Sequence, residues 1–577
     1  MRLIRKSLLI LCALFMITLI AGCNKSENKS QTVTYEADAR VINVRLFKRG
    51  YGADWIYELK RQFEKTYSKE KYKINVLTPS PDMKGEVALS ELALGYESNH
   101  VDLFIVANVR ANSVGVNNEI LKNGKPLAEE IEETVYNQKA IKYDGTEEDK
   151  TVGEKLTPGA ERSLRDYDGT MYAFNWAASA GGLVVNKKKL DKYGLNIPIT
   201  TDEFFNCIDS IYLGTNGVAD SETTKTFPVT YPQSGSYVND LFSTWQAQYD
   251  LVEYDKFWSM NDDNGEYRLE DGYEVFNSPA IESSLSKLYR YLDYRISSYG
   301  STTQSLDQAQ AAILKDKNGA VFMSCGDWYL NEVKLNYGSK LDDITYTKIP
   351  INSDLGKKLF GAGSSYNLSD VDADRLLSKI ASLSDEDMDL DQIIAEVKSS
   401  LGIDVGEEDA LEVCKARGIY FTYGLDHMAY ITKGTPNKDI CELVLRMMAS
   451  DDFAYTFSEF ANVNSPYSRV KNTSSKYEFV RQASKITVSQ YAKLVEDVPW
   501  SGLREKIAGE MNQDLPKFSI QLVSNVQNGA ITVFDGNGKR LPNTSLSVFD
   551  NAAHNLMIDN YNYVKNKWQS YVAGISK

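Results

Sequence analysis

Histidine is almost absent from this sequence. Its 577 residues contain three, at positions 100, 427 and 554, so a local His/Cys metal cluster cannot be assembled and no metal is expected. Cysteine is scarce as well, and none of Cys12, Cys23, Cys207, Cys325, Cys414 and Cys441 forms a C-x-x-C. Cys207 in EFFNCIDSIY and Cys441 in DICELVLRMM sit among apolar residues at helical spacing, which favours buried thiols over a disulfide framework. With 14 prolines, 42% hydrophobic and 11% aromatic residues the chain is not disordered, and with 64 basic against 79 acidic residues it is not a nucleic-acid binder. G-x-S-x-G, H-E-x-x-H and G-x-x-x-x-G-K-[ST] are all missing, so these routes to catalysis and cofactor binding are closed. The nearest calcium-loop segment, Asp385-Glu-Asp387-Met-Asp389, has Leu390 where a glycine is required and reads better as a helix N-terminus.

What is present begins with Arg2, Arg5 and Lys6, followed by an unbroken apolar run from Leu8 to Ile20 and then Ala21-Gly22-Cys23. Such a run falls short of the roughly 20 residues of a membrane span and has the form of a signal peptide over residues 1–22. Leu19-Ile20-Ala21-Gly22-Cys23 resembles a bacterial lipobox, which implies cleavage before Cys23 and lipidation of its sulfur, palmitate included; a non-lipidated secretory signal is the alternative reading. Loss of residues 1–22 removes three cations and no acids, moving the net charge from −15 to −18. Membrane attachment would then rest on the lipid and not on a basic patch. The polar stretch Asn24 to Thr34 reads as a tether, so residues 23–36 form the lipidated N-terminus and its linker.

The body opens with an alternating strand at Arg40 to Phe47, the loop KRGYGAD and the helical pattern WIYELKRQFEKTY. A strand at Lys73 to Leu77, a helix around Val87 to Tyr96 and the apolar strand Val101 to Val106 complete a βαβαβ series, which predicts an α/β lobe with a parallel sheet. A chain of this length needs more than one core.

From Tyr167 a set of motifs appears in order: Asp168-Gly169 with Tyr172, Asn186-Lys187, Gly194-Leu195 with Pro198, and Thr201-Asp202-Glu203. They are followed by the turn Asp263 to Tyr267, the helix start Asn277-Ser278-Pro279-Ala280, the block Asn318 to Trp328, a strand from Ile344 to Pro350, and Met428 to Ile431 with Thr435 to Asp439 behind it. This ordered set resembles the extracellular solute-binding proteins of sugar ABC importers, the group that includes maltodextrin-binding proteins, and covers most of residues 40 to 470. Val185 stands where an aromatic is usual, and Asp202 near the usual tryptophan.

The resemblance implies a two-lobe, periplasmic-binding-protein-like (type II) α/β fold whose chain crosses between lobes near residues 176 to 182, 421 to 427 and 462 to 467. Lobe one would combine 37–178 with 425–464, and lobe two 179–424 with 465–577. Residues 356–418 look inserted in lobe two; there Ser384 with Asp387 suggests a capping box, and Ile393, Ile394 and Val397 an apolar helix face.

A sugar presents hydroxyls at its edges and C–H groups on its faces, so its site needs aromatic plates beside amides, carboxylates and guanidinium groups. In open α/β sheets ligands meet the loops at the carboxyl ends of strands. That rule selects Lys48, Arg49 and Tyr51 after the first strand, and Asn108 and Arg110 after the strand that carries Asp102. A solvated loop is the competing account of Lys48 and Arg49, and a turn or cap role is favoured for Asp102. The resemblance adds Asn175, Trp176 and Ser179 at the first crossing, and Trp328, the leading candidate, for which a core tryptophan is the alternative. Trp245, Asp327, Tyr423, Asp426 and Trp500 are secondary candidates.

The implied function is capture of a carbohydrate, an oligosaccharide by preference, by a lipid-anchored monomer on the extracytoplasmic face of the membrane, with delivery to the permease subunits of an ABC importer. No cofactor and no catalytic residue are called for. Two alternatives stay open: a surface lipoprotein enzyme acting on glycans through cleft carboxylates such as Asp327 and Asp426, and a receptor for a peptide or other polar ligand.

Overall fold

The structure is a computed structural model that describes residues 35–575 except 117, 119, 122, 167, 215–225, 234–236, 294–296, 298–302, 469–470, 497–501 and 515–546. The lipobox with Cys23 and the candidate Trp500 lie outside the described residues. Thirteen strands are described: β1 (Arg40–Leu46), β2 (Tyr72–Val76), β3 (Leu103–Ile105), β4 (Lys139–Ile141), β5 (Glu147–Thr151), β6 (Phe174–Asn175), β7 (Ser179–Asn186), β8 (Thr226–Val229), β9 (Gly319–Gly326), β10 (Ile344–Thr347), β11 (Ile419–Tyr423), β12 (Met428–Ile431) and β13 (Lys493–Val495).

One sheet runs β2-β1-β3-β12-β6. Its first three strands are mutually parallel and β12 is antiparallel to both β3 and β6. Ile42, Val44 and Leu46 are fully buried while Val41, Asn43 and Arg45 are half-buried, the alternation expected of a strand with one face on the core. Helix Asp54–Thr66 lays Trp55, Ile56, Leu59 and Phe63 into the same core, and Lys438–Met448 adds Ile440, Val444 and Met448. This core runs from Ile42 to Ala177 and resumes from Met428 to Tyr467.

A second sheet runs β13-β11-β7-β9-β8, with β10 also paired to β7, and β4 pairs with β5 in a small third sheet. Every residue of β7 and β9 is buried, as in strands covered on both faces. Helices Val238–Tyr249, Pro279–Tyr291 and the C-terminal Ser547–Val572 cover one side. Ser278 caps the middle one and Pro279 opens it, as the Asn-Ser-Pro motif predicts. The two larger sheets are the two lobes of a mixed α/β fold, joined where β6 leads to β7, where β11 leads to β12, and beyond helix Asp451–Ala461.

Helices Ser353–Phe360, Asp370–Asp385, Leu390–Leu401 and Glu407–Gly418 enclose a separate apolar core that includes Leu376, Ile380, Ile393 and Val397. One reading of this segment needs correction. Ser384 is in the last turn of Asp370–Asp385, and Asp387 has a left-handed φ of 60°; the capping box belongs to Asp389 and Gln392. Two helices thus meet where one N-terminus was expected, because the acidic run contains both the end of one and the start of the next. Cys207, Cys325, Cys414 and Cys441 are buried and free. No described helix is long and apolar enough to cross a membrane.

Candidate functional site

The three connections between lobes are bound to one another. Asn175 donates through Nδ2 to the carbonyls of Gly424 and His427 at 2.6 and 2.9 Å, the Trp176 N–H reaches the His427 carbonyl at 3.1 Å, and the Ala178 N–H reaches Asn464 at 3.4 Å. Gly424 has φ +105°, and an added Cβ would lie 2.8 Å from the Ala177 carbonyl, so only glycine lets the first and second connections approach this closely. Asp327, fully buried at the end of β9, accepts from the Ala180 N–H at 3.1 Å and from Ser179 and the Asn464 backbone. Burial pushes its carboxyl up to about 8 against those hydrogen bonds, and its Oδ1 has no partner.

An aromatic cluster spans the lobes beside this knot. Trp328 begins the helix after β9, yet its indole packs into the core of the opposite lobe and is 6% exposed. It meets Tyr423 edge-on at 4.8 Å and lies 5.6 Å from Tyr237 and 6.4 Å from Tyr51. A Cβ on Gly326 would sit 2.0 Å from that indole, so the Gly-Asp-Trp order is what permits the ring to fold back over its own strand. Tyr51 donates or accepts across the lobes to Ser179 at 3.0 Å, and Asn331 Nδ2 donates to the Gly50 carbonyl at 3.0 Å. Burial raises the phenols of Tyr51 and Tyr237, so both hydroxyls act here as neutral groups. The half-buried Tyr423 keeps its hydroxyl out of solvent and without a partner.

A polar rim adjoins the cluster. Asp426 lies 3.0 Å from His427 Nδ1, and although partial burial works to raise its carboxyl, His427 and Arg110 hold it below the usual carboxylate range. Asn108 is exposed with a left-handed φ of 55°, Arg110 is half-buried, and Lys48 and Arg49 are exposed. Glu332 receives Gln310 Nε2 at 2.6 Å, and burial raises its carboxyl.

The structure therefore brings Tyr51, Asn175, Trp176, Ser179, Asp327, Trp328, Tyr423 and Asp426 to one junction, but it divides their work. Trp176 stacks on Trp55 at 5.6 Å and donates to the Val106 carbonyl at 2.8 Å, and Asn175 ties two connections together; both are framework. Trp245 is elsewhere: fully buried in the core of lobe two, it donates to the Pro350 carbonyl at 3.0 Å and does not face the cleft. Its place at i+7 from Val238 on an apolar helix face was the signal for core. Asp102 accepts from the Asn43 N–H, Thr435 and Asn437, a turn-fixing role. Sequence reasoning missed Tyr237 and His427. Tyr237 stands at the N-cap of the next helix with φ 68°, and His427 directly follows Asp426.

No family profile and no curated protein matches the chain. Solved structures do. The apo form of RafE from Streptococcus pneumoniae is 13% identical, with 91% of this chain and 99% of that one covered at a TM-score of 0.50. A probable secreted solute-binding lipoprotein from Streptomyces coelicolor is also 13% identical, with 90% and 100% covered at a TM-score of 0.50. The fold is that of the two-lobe solute-binding proteins.

Proposed function

We propose that the chain is a lipid-anchored extracytoplasmic receptor that captures a carbohydrate, an oligosaccharide by preference, between its lobes and presents it to an ABC importer. The observation that carries this reading is the placement of Trp328. An aromatic plate belonging to lobe two is seated against Gly50 and Tyr51 of lobe one and flanked by Tyr237 and Tyr423, with polar groups from both lobes beside it. Stacking rings next to hydroxyls and carboxylates suit the faces and edges of a sugar. Opening at the three connections would uncover the indole, and closure on a ligand would bury it again, so the importer would read a population shift between two states. The secreted solute-binding lipoprotein of the same fold supports the cellular placement, and Cys23 is the residue on which the anchor would be built.

An enzyme reading would use Asp327 as a general acid, since its carboxyl is pushed up to about 8 while that of Asp426 is held down. Its position argues against that role: Asp327 is fully buried and spent on hydrogen bonds that join two interlobe connections.

A thermal-shift screen of the mature chain against oligosaccharides tests the proposal, because a ligand at 100 times its Kd stabilises by about 2.7 kcal/mol. Stabilisation without product supports the receptor, and turnover of the sugar would sink it. Cys23→Ala should release the protein from the membrane fraction, and retention there would refute the anchor.

A further inference from the structure

A groove of about 900 Å³ opens on lobe two, at the seam between helix Pro279–Tyr291 and the inserted helices. It is remote from the interlobe junction in its lining, which comes from Asp202, Asn206, Arg290, Asp354, Lys357 and neighbouring residues.

Most charges in the groove are already matched. Lys287 and Lys357 both pair with Asp354, and Lys358 pairs with Asp250. Among the cations of the groove Arg290 is the exception, and of its acids Asp370 and Asp550 also lack a paired cation among the described residues. The half-buried side chain of Arg290 holds the guanidinium 3.9 Å from the centroid of the Phe205 ring, and its Nε is shut off from solvent without a hydrogen-bond partner. Among the described residues no ion pair reaches it. Asp202, Asp550 and Asp354 attract it only at longer range, too weakly to offset its desolvation, so its pKa is lowered to about 10. A guanidinium that lines an open groove without an ion-pair partner can take up an outside anion. A planar fork held against a ring is preorganised for a carboxylate, which it can engage by two parallel hydrogen bonds.

The groove is larger than a bare carboxylate needs. Asn206 is exposed and has no partner among the described residues, and the Asp202 carboxylate has only Lys357 at 3.9 Å. An amide and a carboxylate with free hydrogen-bonding capacity are groups that bind hydroxyls. We propose that this groove is a second binding site, separate from the interlobe cleft, for a hydroxylated small molecule bearing one carboxylate, of the sugar-acid class.

Titration of the mature chain with D-glucuronate, with D-glucose as the neutral counterpart, tests the assignment by calorimetry or ligand-observed NMR. Glucuronate should bind and glucose should bind at least about tenfold more weakly, since a charge-assisted bidentate contact is lost. Arg290→Gln should weaken glucuronate by a similar factor, with Arg290→Lys in between, while the ligand-free melting temperature holds because no ion pair among the described residues is lost. The proposal is overturned if glucuronate does not bind, if glucose binds equally, or if Arg290→Gln leaves glucuronate affinity unchanged. A fall of several degrees in the ligand-free melting temperature of Arg290→Gln, or its failure to fold, would make Arg290 a structural residue and overturn it as well.

Discussion

The junction between the lobes and the seam of the inserted helices both bury a carboxyl, and they do so in opposite ways. At the seam Arg417, 1% exposed, donates to Asp385 at 2.7 and 2.9 Å and to the Ile349 carbonyl at 3.1 Å, and Lys348 completes the set at 2.8 Å from Asp385. Burial works to raise the Asp385 carboxyl, but Arg417 and Lys348 outweigh it and hold it low. At the junction Asp327 has only neutral donors, and burial wins. A fully paired ion set fixes one arrangement of helices. A carboxyl whose pKa is raised by its surroundings marks a place from which water is excluded.

The largest effect should come from breaking the paired set. Arg417→Met leaves Asp385 facing Lys348 alone and is expected to cost about 3 kcal/mol or more, read as a drop in denaturation midpoint. A loss under about 1 kcal/mol would mean the seam tolerates an unpaired carboxylate and would erase the contrast.

Trp328→Ala comes next. As a ligand platform the indole should contribute about 2 kcal/mol, or roughly thirtyfold in Kd once a ligand is known. As a core residue it would instead cost about 3 to 5 kcal/mol of ligand-free stability. The structure seats it in the core of the opposite lobe, so some stability loss should accompany the affinity loss. A large melting shift with Kd preserved would remove Trp328 from the site.

The pH dependence separates Asp327 from Asp385 by sign. Asp327 has a folded pKa of about 8, above its unfolded value, so its contribution is full in acid and is lost as pH rises toward 8. Asp374, pushed up to about 6 by burial in the inserted core, acts in the same sense over a lower range. Asp385 is depressed, and its contribution disappears as pH falls below its unfolded value. Asp327→Asn should therefore flatten the melting temperature between about pH 4 and 8 and leave the limb below that intact. An unchanged slope in that window would show that Asp327 is solvated in the folded chain.

The smallest expected effect is at the corrected cap. Asp389→Ala should cost about 1 kcal/mol, the usual loss for an N-cap carboxylate. No measurable change would return the helix start to the Ser384 region.

Local elements were legible because their causes are local. The alternation of Ile42, Val44 and Leu46, the spacing of Trp55, Leu59 and Phe63, and the Asn277-Ser278-Pro279 start all carry their structure in neighbouring residues. The acidic run at 385 to 389 does hold a helix start, at Asp389, but the capping box was placed too early, at Ser384 and Asp387; Asp385, still in the preceding helix, is committed to Lys348 and Arg417, partners 37 and 32 residues away that no local pattern reveals.

The candidate site was legible by residue type and not by role. Trp176, Trp245 and Trp328 look alike in sequence, and the indole N–H decides between them only in three dimensions, reaching Val106 in the first case and Pro350 in the second. By itself, then, the sequence determined the α/β grammar, the order of motifs and the acidic, histidine-poor character of the chain, since these depend on composition and on contacts a few residues apart. Only the tertiary structure decided that Tyr51, Ser179, Asp327, Trp328 and Tyr423 share one junction, because their proximity arises where three distant stretches of chain pass between two lobes, and burial and hydrogen bonding there set which group is framework and which is free to meet a ligand.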